Sequence, residues 1–487
     1  MYKFINLLLL SGLISSVAST TELKSPALYQ NEEQAIEAGE KLGLGSAVIE
    51  KPKKAEVFSY QTVKLVYTTG KAGINPGGGI RIAMRHVARW TFPQTEKPNA
   101  DGYLTVKTTD NAPTEITVGY KSSPFFGQYH PWQNIVEIKL PRGLAPQETV
   151  RVTYGDKSGG SRGIRTQPFD ETSFVFKFYV DATGDENYLP LRHNPSLEII
   201  PGAPYRLGIV MPSDAVTGKP TWCIVRVEDR YGNPTDKYLG TVTLSSTDSS
   251  ATLPTGHTFA RKEKGAYRFD NVVFNSSGRH TITVRDEENP QLVRVSNPVR
   301  VNEKDPEPLL LWGDLHGHTL FSDGRGTVEE YYDFAENVAG LDFCAVSDHA
   351  FEMLDWMWEH SKKVTNSAYK PGKFVTFQAY EWSGKADVGG DHNIYFLDDD
   401  PPIYRSRSYY NYKNLQMYHG PEPQVNHIED IFRHLSNHLK NKDVFCIPHW
   451  GGRHGNPNWH HPKVQRMIEV FSEHRRSEDW MITFLKN

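Results

Sequence analysis

"WGDLHGHTLFSDG", residues 312–324, gathers Asp314, His316, His318 and Asp323 into thirteen positions. Histidines at i and i+2 on a strand point to the same side, so His316 and His318 can grip one metal or two neighbouring metals. Working outward, a βαβ rhythm begins here. "LLLWGDLHGH" reads as a buried strand, "TVEEYYDFAENVAG" as a helix and "LDFCAVSDH" as a second strand. Thr327 with Glu330 forms a capping box at the helix start, and Gly340 is its stop. That rhythm predicts parallel strands in a barrel or wound sheet, where ligands gather at the carboxyl ends of the strands.

An isolated His-x-His is more often a pair of satisfied loop histidines than a metal site. Here each later apolar strand also carries a ligand-type residue at its tip. "FCAVSDH" ends in Asp348-His349, "FVTFQAYE" in Glu381 and "DVFCIPHWGG" in Pro448-His449, while "GGDHNIYFL" opens with Asp391-His392. Imidazole and carboxylate together suit zinc, iron or manganese. Of the 19 histidines, 14 lie between residues 309 and 487, as do seven of the ten tryptophans, so chemistry is expected in that half.

In this order "DLHGHTLFSDG", "AVSDH", "YEW", "DHNIYF" and "IPHWGG" resemble the successive motifs of the polymerase and histidinol phosphatase (PHP) superfamily of metal-dependent phosphoesterases. The "WGDLHGHTLFSDG" opening, "YEWSG", "EVFSEH" and the β-rich N-terminal half are similar, more narrowly, to the domain-of-unknown-function family 3604. The resemblance covers residues 305–487 for chemistry. It implies a distorted β/α barrel holding two or three divalent metal ions. His316, His318, Asp323, His349, His392 and His449 match metal ligands, and Glu381 matches the carboxylate that bridges two metals and takes part in catalysis. Asp348 stands beside His349 as support. The metals would activate a water and neutralise charge on the departing oxygen. Arg325 and Arg453 are candidate anion contacts, each equally well read as solvated surface. His454 and His474 are candidates for acid catalysis or extra ligation, with surface polarity as the alternative.

The superfamily's closing Asp-x-His has no counterpart after His449, where "MIEVF" is the one further apolar strand. Residues 305–487 amount to about 180 positions against the roughly 200–250 of a full barrel, so the barrel is expected to be C-terminally incomplete. Such a chain would carry an open, aggregation-prone edge.

Upstream, Met1-Tyr2-Lys3, the apolar run Phe4–Val17 and the small residues Ala18 and Ser19 read as a signal peptide over residues 1–19, hence a periplasmic or secreted protein. Residues 20–56 are polar, with a weak helical stretch at "NEEQAIEAGEKLG", and read as a tether. From 57 to 200, period-two runs such as "QTVKLVYTT", "NIVEIKL" and "TVRVTYG" predict a β-sandwich. Its "NPGGGIRIA" lacks the Gly-Lys-Ser/Thr of a phosphate loop and reads as a bulge or turn. Residues 201–302 predict a second, immunoglobulin-like β domain. "VEDRYGNP" there resembles the strand-and-turn of bacterial immunoglobulin-like modules, with Cys223, Val225 and Val227 facing one side.

A formal charge of −4 over 487 residues, without a Lys/Arg block, argues against nucleic acid as a partner. The three cysteines are too few and too far apart for a disulfide framework, and no segment after the leader is long enough to span a membrane. His427, His434 and His438 lack the Glu of a zinc-protease helix and read as a solvated face; His460-His461 reads as an ordinary polar loop. Trp356, Trp358, Trp382, Trp450 and Trp459 read as core packing, with stacking on a flat ligand as the alternative. Three functions remain open. The first is an exported metal-dependent phosphoesterase acting on a small-molecule ester. The second is an amidohydrolase-like enzyme, against which the absence of lysine in "FVTFQAYEW" counts. The third is an inactive binding protein.

Overall fold

A computed structural model of the chain describes residues 32–85, 88–119, 132, 134–384, 386–406, 425–436, 438, 443–449 and 459–469. The leader read over residues 1–19 lies outside these. The architecture is mostly β, built from many small sheets, with an α/β region at the C-terminal end.

The first core lies between a four-stranded and a five-stranded antiparallel sheet. Val63–Thr69 is an inner strand of one sheet, with the strict alternation of buried and half-exposed positions that its sequence predicts. Gly79–Met84, buried at every position, is the centre of the other. "NPGGG" is the turn that leads into it, with Gly77 at φ +85°. Ordered structure already begins inside the stretch read as a tether: Glu32–Leu42 is a helix that buries Ala35, and Gly45–Lys51 pairs with Val63–Thr69 as an edge strand of the first sheet. The second core is formed by residues from Leu207 to Val301. Cys223, Val225 and Val227 enter it together from the strand Pro220–Glu228, as their alternation requires.

The C-terminal region consists of β1 (Gly313–Gly317), α1 (Val328–Asp333), β2 (Phe343–Val346), α2 (Asp355–Ala368), β3 (Val375–Thr376), β4 (Gln378–Ser383), β5 (Asp391–Phe396), α3 (Ile428–His434) and β6 (Val444–His449). Thr327 caps α1 in a reciprocal box with Glu330, and after a six-residue π-helical turn Gly340 ends the helix in the left-handed conformation. Three expectations are corrected here. The strands form no barrel among the described residues. β1, β2 and β3 pair in parallel as one sheet, whereas β4, β5 and β6 pair antiparallel as another. A single parallel bridge, His349 with Glu381, joins them. The run Leu309–Trp312, read as the first half of a buried strand, is an exposed approach to β1, each residue more than half accessible. The described part of "MIEVF" is irregular chain rather than strand.

The second sheet is two-faced. Tyr380, Trp382, Ile394, Phe396 and Cys446 pack on α3 and its neighbours, whereas Ala379 and Tyr395 turn toward Leu315 and Ala345 of the first sheet. Gly340 lies against Val210, Trp222 and Ile224 of the second β region, which fixes α1 on the upstream half. No helix among the described residues is long and apolar enough to cross a membrane.

Candidate metal centre

The sheet ends meet at Glu381. Its carboxylate, 1% exposed, lies 3.4 Å from His316 Nε2, 3.2 Å from His318 Nε2, 3.4 Å from His349 Nδ1 and 3.2 Å from His449 Nδ1. Four separate segments deliver these imidazoles: β1, the turn after it, the turn after β2 and the end of β6. Two acidic residues extend the cluster. Glu469 lies 2.9 Å from His316 Nδ1, and Asp323 lies 3.8 Å from both His318 Nδ1 and His349 Nε2.

These side chains form overlapping groups close enough to share an ion: His316, His449 and Glu469; His316, His318 and Glu381; His318, Asp323 and His349; Glu381, Asp391 and His449. Nitrogen and carboxylate oxygen are the only donor types in them, a set that fits zinc, manganese or iron. The electrostatics fit cations too. Burial alone would lower the pKa of His316, but Glu381 and Glu469 override it and raise it to about 10. His349 is raised to about 10 against the same burial by Glu381 and Asp323. Burial would push Glu381 up, yet His349 and the bonds from His316, His318 and His449 hold it well below the usual carboxylate range. Buried carboxylates this close together require positive charge, from protons on the imidazoles or from metal ions.

A second layer of bonds orients the rings. Asp348, fully buried, accepts from Thr319 N at 2.7 Å, Thr319 Oγ1 at 2.6 Å and Ser322 Oγ at 2.5 Å. Ser322 Oγ lies 3.2 Å from His318 Nδ1, so Asp348 acts on His318 through Ser322. Ser383 Oγ holds His349 Nδ1 at 2.9 Å. Outer partners of this kind fix the tautomer and aim of a ligating imidazole.

Of the residues expected at the site, His316, His318, Asp323, His349, Glu381 and His449 are brought together, and Asp348 stands behind them. His392 is not among them. In β5, neighbouring residues face opposite sides, and His392 sits opposite Trp382 and Pro448 on the helix-covered face, its ring 6.2 Å from that of Trp382. Burial lowers its pKa to about 4. Asp391, one residue earlier, faces the cluster instead. Arg325 also departs from its expected role as an anion contact, because its guanidinium bonds the Asp170 carboxylate at 2.9 Å and covers the Phe169 ring. Arg453, His454 and His474 lie outside the described residues. Sequence reasoning missed Glu469, whose signals were its place as the lone carboxylate inside the apolar "MIEVF" and at the head of "EVFSEH".

Comparison with known proteins adds a family and some relatives. Residues 351–459 match the family described as "Protein of unknown function (DUF3604)". An uncharacterized protein of Chlamydia pneumoniae is 23% identical over 361 residues, covering 70% of this chain and 53% of its own length. An uncharacterized protein of Chlamydia muridarum is 25% identical over 291 residues, covering 57% of this chain and 43% of its own. The chain thus spans about half the length of the curated relatives it matches. Among solved structures, the Yersinia pseudotuberculosis adhesin InvE is similar at 11% identity, covering 53% of this chain and 58% of that one, with a TM-score of 0.17. The Escherichia coli adhesin FdeC is similar at 12% identity, covering 54% and 65%, with a TM-score of 0.24.

Proposed function

We propose that the protein is an exported metal-dependent hydrolase of the polymerase and histidinol phosphatase superfamily that cleaves a phosphate ester of a small molecule. The observation that carries this reading is the convergence of four imidazoles, each 3.2 or 3.4 Å away, on the one buried carboxylate of Glu381. A carboxylate in that position suits sharing between neighbouring cations. His316, His449, Glu469 and Asp391 would hold metal on one side of it, and His318, Asp323 and His349 on the other. Bound there, divalent ions supply a Lewis acid for the ester oxygen and lower the pKa of a water. The chain's own residues keep the donors aimed: Asp348 through Ser322, and Ser383 directly. The absence of lysine in "FVTFQAYEW" favours this chemistry over that of an amidohydrolase with a bridging lysine.

The test is metal analysis of the purified chain, followed by a panel of aryl phosphate, sulfate and carboxylate esters. The expected result is two or three equivalents of metal and hydrolysis of the phosphate esters. Glu381→Ala should reduce both metal affinity and hydrolysis, by roughly 100-fold or more. A metal-free wild-type protein overturns the reading. Turnover of only the other esters removes the phosphate assignment.

A further inference from the structure

The loop that carries Asp323 is held from the far end of the sequence. Arg85, at the end of the strand Gly79–Met84, is 4% exposed. One arm of its guanidinium bonds Glu171, which is also buried, and the other donates to the carbonyl of Gly324. The pair is anchored in its own sheet region. Glu171 accepts from Gln167 Nε2 at 2.9 Å, Gln167 accepts from Trp90 Nε1 at 3.2 Å, and the Arg85 carbonyl accepts from Asn134 at 3.2 Å. Two exposed contacts lie on either side of it. Arg325 bonds Asp170, and Thr172 Oγ1 donates to Glu330 Oε1 at 3.2 Å while the other oxygen of Glu330 caps Thr327.

The target of this grip has no slack. A Cβ on Gly324 would come within 2.0 Å of the His318 carbonyl oxygen, so the loop folds back directly onto the chain that bears His318. Displacing Gly324 therefore displaces Asp323 and His318 together. A guanidinium is suited to this task, because its rigid fork can serve a carboxylate and a carbonyl at once.

We propose that Arg85, set by Glu171, is a positioning residue for the pocket of His318, Asp323 and His349, so that the first β region is a working part of the metal centre rather than a spacer. This rests on that pocket holding metal, as proposed above. The experiment uses the full chain and titrates manganese or zinc by calorimetry and chelator competition. In Arg85→Met with Glu171→Met, the buried charges leave together, which spares the fold an unpaired ion. The weakest-held equivalent of metal should then lose about tenfold or more in affinity, with the remaining equivalents unchanged. Arg85→Lys should recover part of the loss. Arg162→Ala, which removes the exposed bond to Asp101 elsewhere in the same region, should change nothing.

A double variant with wild-type circular dichroism, wild-type metal-free melting and wild-type affinity for every equivalent overturns this proposal and leaves the hydrolase reading standing. Absence of metal from the wild type overturns both. Should the double variant fail to fold, Arg85→Lys decides, because one ammonium cannot replace the fork; full metal affinity there sinks the proposal.

Discussion

Asp391 and His392 are neighbours on opposite faces of β5, and the buried imidazoles on the two faces give the protein opposing pH dependences. With metal stripped by a chelator, His316 and His349 have folded pKa values of about 10 against an ordinary 6.5. Their contribution to stability is fully present below pH 6.5 and is lost as pH rises toward 10. His392, lowered to about 4, works in the opposite sense: its contribution is present above pH 6.5 and lost as pH falls toward 4. The acid limb it creates is on the order of 3 kcal/mol. Urea unfolding of chelated protein across this range should show greatest stability near pH 6.5, and His392→Phe should flatten the acid side. An acid limb unchanged in that variant would count against the burial argument. Much of the cluster was legible because its ligands close or follow apolar runs, where a turn exposes a polar tip. His392 was misjudged because "DHNIYF" alternates in register, and sequence does not say which of two adjacent ligand types faces inward. Glu469 was missed because "MIEVF" reads as an apolar strand, whereas the described chain there is irregular, so strand alternation says nothing about where that carboxylate points.

At the scale of elements, the capping box and the Gly340 stop are written in single residues and appear in the structure as such. Gly340 stands at φ +69°, and a Cβ there would lie 2.9 Å from Val210 Cγ1 and 3.2 Å from the Trp222 ring. Gly340→Ala should therefore lower stability by about 1–3 kcal/mol, from the left-handed backbone and the crowding together. Shifted urea midpoints would show this, and a neutral substitution would mean that the helix end can move away from the second β region. Strand direction was less legible. Period-two and apolar runs look alike in parallel and antiparallel strands, and the βαβ rhythm of β1, β2 and β3 was extended too far. The connection from Ser383 to Asp391 is only residues 384–390, too short for a crossover helix and ample for a hairpin. Chain length settles only that hairpin: residues 397–443 separate β5 from β6, enough to include α3, and that pair is antiparallel as well.

At the scale of the whole molecule, a conspicuous surface feature among the described residues is Leu309, Leu310, Leu311 and Trp312, exposed at 57%, 53%, 51% and 57%. Contiguous apolar surface of this kind promotes association. Replacing Leu309 and Leu311 with Lys should raise the concentration at which the purified chain begins to aggregate in light scattering. Trp312 stays in that variant because its indole donates to Ser213 Oγ at 2.7 Å. An unchanged threshold would show that the run is covered in solution. The bond from Arg85 to Gly324 meanwhile closes a separation of 239 residues. A chain emerging from the ribosome completes its N-terminal part first. Where the first β region folds first, the cradle of Arg85 and Glu171 is complete before the Asp323 loop docks, and the expected role of that cradle is a mould into which the later segment settles.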